Sequence, residues 1–294
     1  MPSASLLAQG AAVGLLTGGV YALLSSGLTL IFGVMRVVHI SHAAFLILAA
    51  YLTYWMNASF GLDPLLSIFI TAPLFFVLGV GVQRLLLVRL KENATMMSVL
   101  LTFAIALVIE GGLVAAFTAT VRGVSAPYAQ TSLAVVGLRL PWDRIIGFAV
   151  AIVTFGILMA ILRYTRYGQA LRATAQHAAA AQLVGINTEA VKGVGFGLGL
   201  ATAAVGGAVL ALISPFFPSM HYDWIARLMA IIVVGGLGSI HGAVLAALLM
   251  GVVEGMVLVS INPTWGAMVF YAALFGTLIV RPQGFFGGRL AERF

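Results

Sequence analysis

The sequence predicts an all-α polytopic membrane protein with roughly eight or nine crossings, some of them short or broken, and one helical segment on an aqueous face. Three observations carry that expectation. Of 294 residues, 62% are hydrophobic and 8% are charged, whereas a soluble domain needs about 25% charged residues to cover itself. The apolar residues fall into runs near the length of about 20 residues that crosses a bilayer as a helix. The basic residues gather mainly between those runs, so the net charge of +7 reads as a topology signal before it reads as a nucleic-acid footprint.

Taken in order, the runs lie at 8–32, 42–57, 65–88, 96–118, 144–164, 193–214, 226–236, 240–260 and 264–281. No charge precedes Arg36, so the N-terminus lacks the basic region of a secretory signal, and the first run is expected to persist as a helix. The 42–57 and 226–236 runs are short, and are read as tilted partners or as broken helices lining protein. Interrupted spans are where transporters tend to place their pathways. Basic clusters follow the third run (Arg84, Arg89, Lys91), bracket the loop after the fifth (Arg163, Arg166, Arg172, Lys192) and fill the tail (Arg281, Arg289, Arg293). The positive-inside rule puts all three in the cytoplasm, with the N-terminus outside on a nine-span count. The 119–143 loop is then external despite Arg122 and Arg139, and is expected to form a small hairpin or a re-entrant element.

Residues 168–185 are rich in Ala, Gln and Leu, all helix formers. Arg172, Gln176 and Gln182 interrupt the apolar positions, which predicts one short amphipathic helix ending at the Gly185 turn. The whole chain, 1–294, reads as one transmembrane domain, with this cytoplasmic segment at about 168–192.

Several chemistries are absent. There is no cysteine, which excludes disulfides, thiol nucleophiles and thiolate-held zinc. The two lysines, Lys91 and Lys192, follow Leu90 and Val191, so neither stands in a phosphate-cradling Gly-Lys-Ser/Thr loop. No HExxH is present. Gly238-Ser-Ile-His-Gly242 lacks the spacing of a serine nucleophile elbow. No cofactor, metal or catalytic residue is expected.

What remains are structural breaks, small-residue ladders and two isolated acids. Gly10, Gly14 and Gly18 recur every fourth residue, as do Gly251 and Gly255, a spacing that lets helix backbones touch; packing within the chain is the plainer use. Glu110 and Glu254 lie inside apolar runs, where an ionisable group is expensive. Each is alone in its span with no Asp or Lys nearby, so a structural contact is expected ahead of ion coupling. Arg36-Val-Val-His39-Ile-Ser41-His42 is a polar break between the first two runs: Ser41 or His42 is placed to cap the next helix, and two histidines without a third ligand make a poor metal site. Val234–Gly242 holds a second break, rich in glycine and containing Gly236, Gly238 and Ser239, placed near a pathway or a partner contact.

Three segments carry a family resemblance. Gly27-Leu-Thr-Leu-Ile-Phe-Gly-Val-Met-Arg36 onward through His39, Ser41 and His42 resembles the first signature of branched-chain amino-acid ABC permeases of the LivH type. Ala170-Leu-Arg-Ala-Thr-Ala-Gln176 with Ala179-Ala-Ala-Gln-Leu-Val-Gly-Ile186 is similar to their cytoplasmic coupling segment, and Gly235–Ala243 continuing to Glu254 is similar to their late signature. Ala179 stands where many ABC permeases carry Glu, and His39 and Ala44 stand where the family often has Asn and an acid.

The resemblance implies a permease subunit of an importer in a bacterial inner membrane. It also implies partners: a second homologous permease, two ATP-binding subunits that use the ATP, and a periplasmic substrate-binding protein. Arg172, Gln176, Ala179, Ala180, Gly185 and Ile186 would then face the ATPases. The alternative is an ion-coupled secondary transporter or channel built on Glu110 or Glu254.

Overall fold

A computed structural model describes residues 3–35, 37–90, 94–135 and 137–287. Among them are eleven α-helices: α1 (Ala4–Met35), α2 (His42–Phe60), α3 (Pro64–Leu85), α4 (Ala94–Phe117), α5 (Trp142–Tyr164), α6 (Arg166–Gln176), α7 (Ala178–Leu183), α8 (Thr188–Ile213), α9 (His221–Gly235), α10 (Ile240–Ser260) and α11 (Gly266–Val280). Seven of these, α1 to α5, α8 and α10, are long and apolar enough to cross a membrane; α11 is a shorter apolar helix. The chain is a multi-pass α-helical membrane protein. Helices α9 and α11 have 15 residues each, so each rises only about 22 Å against a hydrocarbon core of about 30 Å.

Helices α1 and α8 form the centre, and both are mostly buried. Helix α1 packs on α10, α8 and α5, while α8 also packs on α2 and α3. By contrast α3, α4 and α5 keep most of their apolar surface outward, which suits hydrocarbon and not water. The glycine ladders are used inside the chain. A Cβ on Gly10 would lie 2.6 Å from the Gly255 carbonyl oxygen, and one on Gly18 would lie 2.9 Å from that of Ala247, so α1 and α10 touch backbone to backbone.

The two ends of the bundle differ. At one end, Gln9 donates to the Arg139 carbonyl and its Oε1 accepts from the Arg139 N–H, which ties the start of α1 to the 132–141 segment. That segment is a two-stranded antiparallel hairpin, β1 (Ser132–Val135) and β2 (Leu138–Pro141), so the hairpin form of the 119–143 loop is the one realised. Trp55, Trp142 and Trp265 stand part-exposed at this end, as a water–membrane interface favours. Asp63 caps α3 and accepts from the Tyr128 hydroxyl at 3.0 Å; burial and this carboxylate push the phenol pKa up, so it stays protonated. Arg122, the awkward cation of a loop expected on the outer side, is held structurally: it donates to the Phe117 carbonyl and stacks on Tyr54.

The other end carries Arg84, Arg89, Arg163, Arg166, Arg172, Lys192 and Arg281. Gly33 near the end of α1 meets Gly238 in the α9–α10 break. The Phe285 N–H donates to the Val234 carbonyl, which brings the chain after α11 to the same place. The described members of the three basic clusters therefore share one end, opposite the start of α1. Lys91, Arg289 and Arg293 lie outside the described residues.

Candidate functional site

The first break is deeper than its position between two helices implies. The His42 ring donates through Nε2 to the Leu24 carbonyl at 3.2 Å, and Leu24 is eleven residues, about 16 Å, back from the end of α1. The chain therefore turns back along α1 through 37–41 before α2 begins. Irregular backbone at such depth persists only where protein satisfies it. Here the Ile40 N–H donates to Thr102 Oγ1 at 3.3 Å, the Thr102 hydroxyl lies 3.4 Å from the Val38 carbonyl, and the His39 ring packs 4.6 Å from that of Phe196. Ser41 occupies the N-cap position of α2 but makes no capping bond; its hydroxyl pairs with His39 Nδ1 at 3.2 Å instead. That corrects the expectation that Ser41 or His42 caps the helix: a nearer buried ring nitrogen competes for the hydroxyl. His39 and His42 are fully buried, and among the described residues no group of three or more metal-ligating side chains forms. Arg36 lies outside the described residues.

The second break is built from glycines in conformations that other residues avoid. Gly236 and Gly238 have φ of +98° and +81°, and a Cβ on Gly236 would meet the backbone of Gly287. Ser239 caps α10, its Oγ accepting from the Gly242 N–H at 3.2 Å. That hydroxyl is engaged as a helix cap, not paired with His241.

The 168–185 segment corrects the single-helix expectation. It forms two helices, α6 and α7, that meet at His177, whose backbone is extended (φ −154°, ψ 95°). The reason is local: His177 Nδ1 accepts from the Ala180 N–H at 3.1 Å and so caps a new helix. Helix α6 is itself capped by Thr165, which accepts from Gly168 at 3.0 Å. It buries Gly168, Leu171 and Thr174 against the bundle and exposes Arg172 and Gln176. Arg172 donates through Nη1 to the carbonyl of Leu162, a free acceptor at the end of α5. Helix α7 ends in paired bonds from Gly185 to Gln182 and from Ile186 to Ala181, with Gly185 at φ +84°. Ala179, Ala180 and Gly185 are exposed and Ile186 is half-buried. Leu183 and Val184 stand 89% and 77% exposed, a bare apolar tip at the basic end. Gly185→Ala puts a Cβ into left-handed backbone with no neighbour to clash, so it should cost about 1–2 kcal/mol from strain alone. Denaturant titration in detergent measures this; an unchanged midpoint would show that the turn is not strained by a side chain.

Between this segment and the second break lies a cavity of about 510 Å³. It is walled by Thr29, Leu30, Gly33 and Val34 of α1, by the end of α5, by α6, and by Gly238 to His241.

The two acids have partners. Glu254, 5% exposed, accepts from the Tyr21 hydroxyl at 2.6 Å and from Arg227 Nη1 at 3.1 Å. Arg227 also sits over the Trp224 and Phe270 rings. Glu110 accepts from Tyr222 at 3.0 Å and faces His221 Nε2 at 3.1 Å. Glu110 is 21% exposed and so only half-buried, because it stands toward the open face near the end of α4. Arg227 was missed by sequence reasoning: as a lone cation at the start of a short apolar run, it is the natural counter-ion for a lone acid in the next one.

A chain break at membrane depth, an exposed helical element at the basic end and acids that each have two protein partners make a framework for moving a solute. A family model described as the permease component of a branched-chain amino acid transport system matches residues 10–278. The chain belongs to this permease family. Among its relatives, the High-affinity branched-chain amino acid transport system permease protein LivH of Salmonella typhimurium is 25% identical over 298 residues, 95% of either chain. BraD of Pseudomonas aeruginosa, described in the same words, is 24% identical over 296 residues, again 95% of either chain. A probable LivH from Methanocaldococcus jannaschii is 28% identical over 280 residues, 90% of this permease and 88% of the relative. No solved structure matches the chain. The matched region runs from the first turns of α1 almost to the end of α11, so both breaks, the α6–α7 segment and both acid pairs belong to the permease core.

Proposed function

We propose that this permease is the membrane-spanning subunit of an ATP-binding-cassette importer of a bacterial inner membrane, and that it passes branched-chain amino acids or a related small solute received from a periplasmic binding protein. It has no catalytic step of its own. A second homologous permease completes the pathway, and two ATP-binding subunits supply the energy. The observation that carries this reading is the α6–α7 segment: it is docked by Leu171 and Ile186, yet presents Arg172, Gln176, Ala179, Ala180, Leu183 and Val184 to solvent at the basic, hence cytoplasmic, end. In a chain without a nucleotide-binding loop, such a surface suits a partner that burns ATP. ATP-driven closure of the partners would push α6 and α7, and the push reaches α5 through Leu162 and α1 and α10 around the cavity. Ion coupling through Glu110 or Glu254 is the weaker reading, because each carboxylate already has two protein partners.

The test is co-purification from the native host. A Leu183→Asp/Val184→Asp variant removes exposed apolar area without touching the bundle, so its thermal stability should match wild type. Recovery of ATP-binding subunits should fall about tenfold, the effect of losing roughly 1.4 kcal/mol of contact. Wild-type chain that emerges alone, and transports on an ion gradient without ATP, would replace this reading with the ion-coupled one.

A further inference from the structure

We propose that the cavity between α1, α5, α6 and α10 is a binding site for an anionic phospholipid of the cytoplasmic leaflet. Its walls are two-natured. Leu30, Val34, Leu162 and Ile240 give an apolar floor, and the two charged side chains at its rim, Arg163 and Arg172, are both cations. No acidic residue lines it among the described ones. Arg172 spends one N–H on the Leu162 carbonyl, and a guanidinium has five, so donors remain for a phosphate. Arg163 lies over the Tyr164 ring at 5.6 Å, a contact that leaves its N–H edge free to donate.

The site lies at the basic end, which the positive-inside rule puts beside the anionic leaflet, where basic pockets between membrane helices take lipid head groups. A volume of about 510 Å³ holds a phosphoglycerol head and the first methylenes of an acyl chain. The chemistry also decides against the carried solute. A zwitterionic amino acid brings an ammonium group that would face two guanidinium groups with no carboxylate to meet it, whereas a phospholipid brings an anion on an apolar body and no unmatched cation. The lipid would bridge α6 to α1 and α10, so its presence would stiffen the segment through which partner motion enters. The inference requires that the chain spans a bilayer with its basic end inside; it does not require the solute to be known.

The experiment uses the full-length permease, in whatever complex it purifies with, reconstituted in nanodiscs and released for native mass spectrometry. Nanodiscs contain 1-palmitoyl-2-oleoyl phosphatidylglycerol or phosphatidylcholine in equal amounts. The expected result is at least fivefold more retained phosphatidylglycerol than phosphatidylcholine on the wild type, with that preference lost in Arg163→Gln/Arg172→Gln. Arg172 also caps α5, so a second variant, Ala175→Trp, keeps both charges and fills the cavity from α6; it should lose retained lipid while keeping its melting temperature. Equal retention of the two lipids, or full retention in Ala175→Trp, overturns the site. Displacement of the lipid by free leucine, with no effect of glycerol phosphate, also overturns it and assigns the cavity to the solute. Loss of ATP-binding subunits from Leu183→Asp/Val184→Asp is scored separately, so failure of the transport reading is distinguishable from failure of the lipid site.

Discussion

Glu254→Ala should destabilise the permease by about 3–5 kcal/mol, the cost of leaving one member of a buried ion pair uncompensated. The carboxylate joins three helices: Tyr21 of α1 and Arg227 of α9 both donate to it from within the bundle. Its removal strands a guanidinium whose remaining contacts among the described residues include a long bond of 3.4 Å to the Tyr21 hydroxyl and the faces of Trp224 and Phe270. Arg227 is 24% exposed, so part of the penalty is relieved, and the lower half of that range is expected. The companion Glu254→Met/Arg227→Leu should recover most of the loss, because apolar groups of similar size need no counter-charge. Unfolding of both variants in mixed detergent measures the difference. A double variant as unstable as Glu254→Ala would mean that the helix contacts, and not the charge pair, set the stability there.

Gly14→Leu should cost about 3 kcal/mol, the upper end of the overpacking range. A Cβ at Gly14 would meet the carbonyl oxygen of Gly251 and lie 3.1 Å from Gly255 Cα, and both are backbone atoms of a packed helix. A flexible side chain yields; a helix backbone moves only as a whole. The matched control is Gly111→Ala in α4, where nothing lies within 4 Å of the added carbon. Alanine there should gain about 0.5–1 kcal/mol from helix propensity. Folded yield and thermal stability of the two variants, compared side by side, test the assignment of the ladder to intrachain packing. Equal behaviour would instead point to an α1 surface that is free to move off α10.

The spans were readable because a bilayer demands a long signal. A helix that crosses it must spend about 20 residues on apolar side chains, and the runs at 42–57, 65–88 and 240–260 became α2, α3 and α10 with ends within a few residues. Charge placement was equally direct, since cations between spans need no partner to be informative. The α6–α7 break was not readable, because it depends on the His177 ring turning back to accept from Ala180, a choice between a side-chain cap and one more helical bond. The site residues divided in the same way. Ser239, read in the sequence only as part of a break, caps α10, whereas Ser41, the residue expected to cap α2, pairs its hydroxyl with His39.

By itself the sequence determined the class of solvent, the helical content, the basic end and the membership of the chain in its family. These rest on composition, on period and on local order, which do not depend on what lies opposite a given residue. Only the tertiary structure decided that Glu254 belongs to Arg227 and Tyr21, that Gly14 belongs to Gly251, that the chain at 37–41 returns to the depth of Leu24, and that α1, α5, α6 and α10 leave a cationic cavity. Each of these joins residues that are distant along the chain or unequal in depth. In a bilayer apolar faces are nearly interchangeable, so their pairing is set by the fit of small residues and the few polar partners that happen to meet.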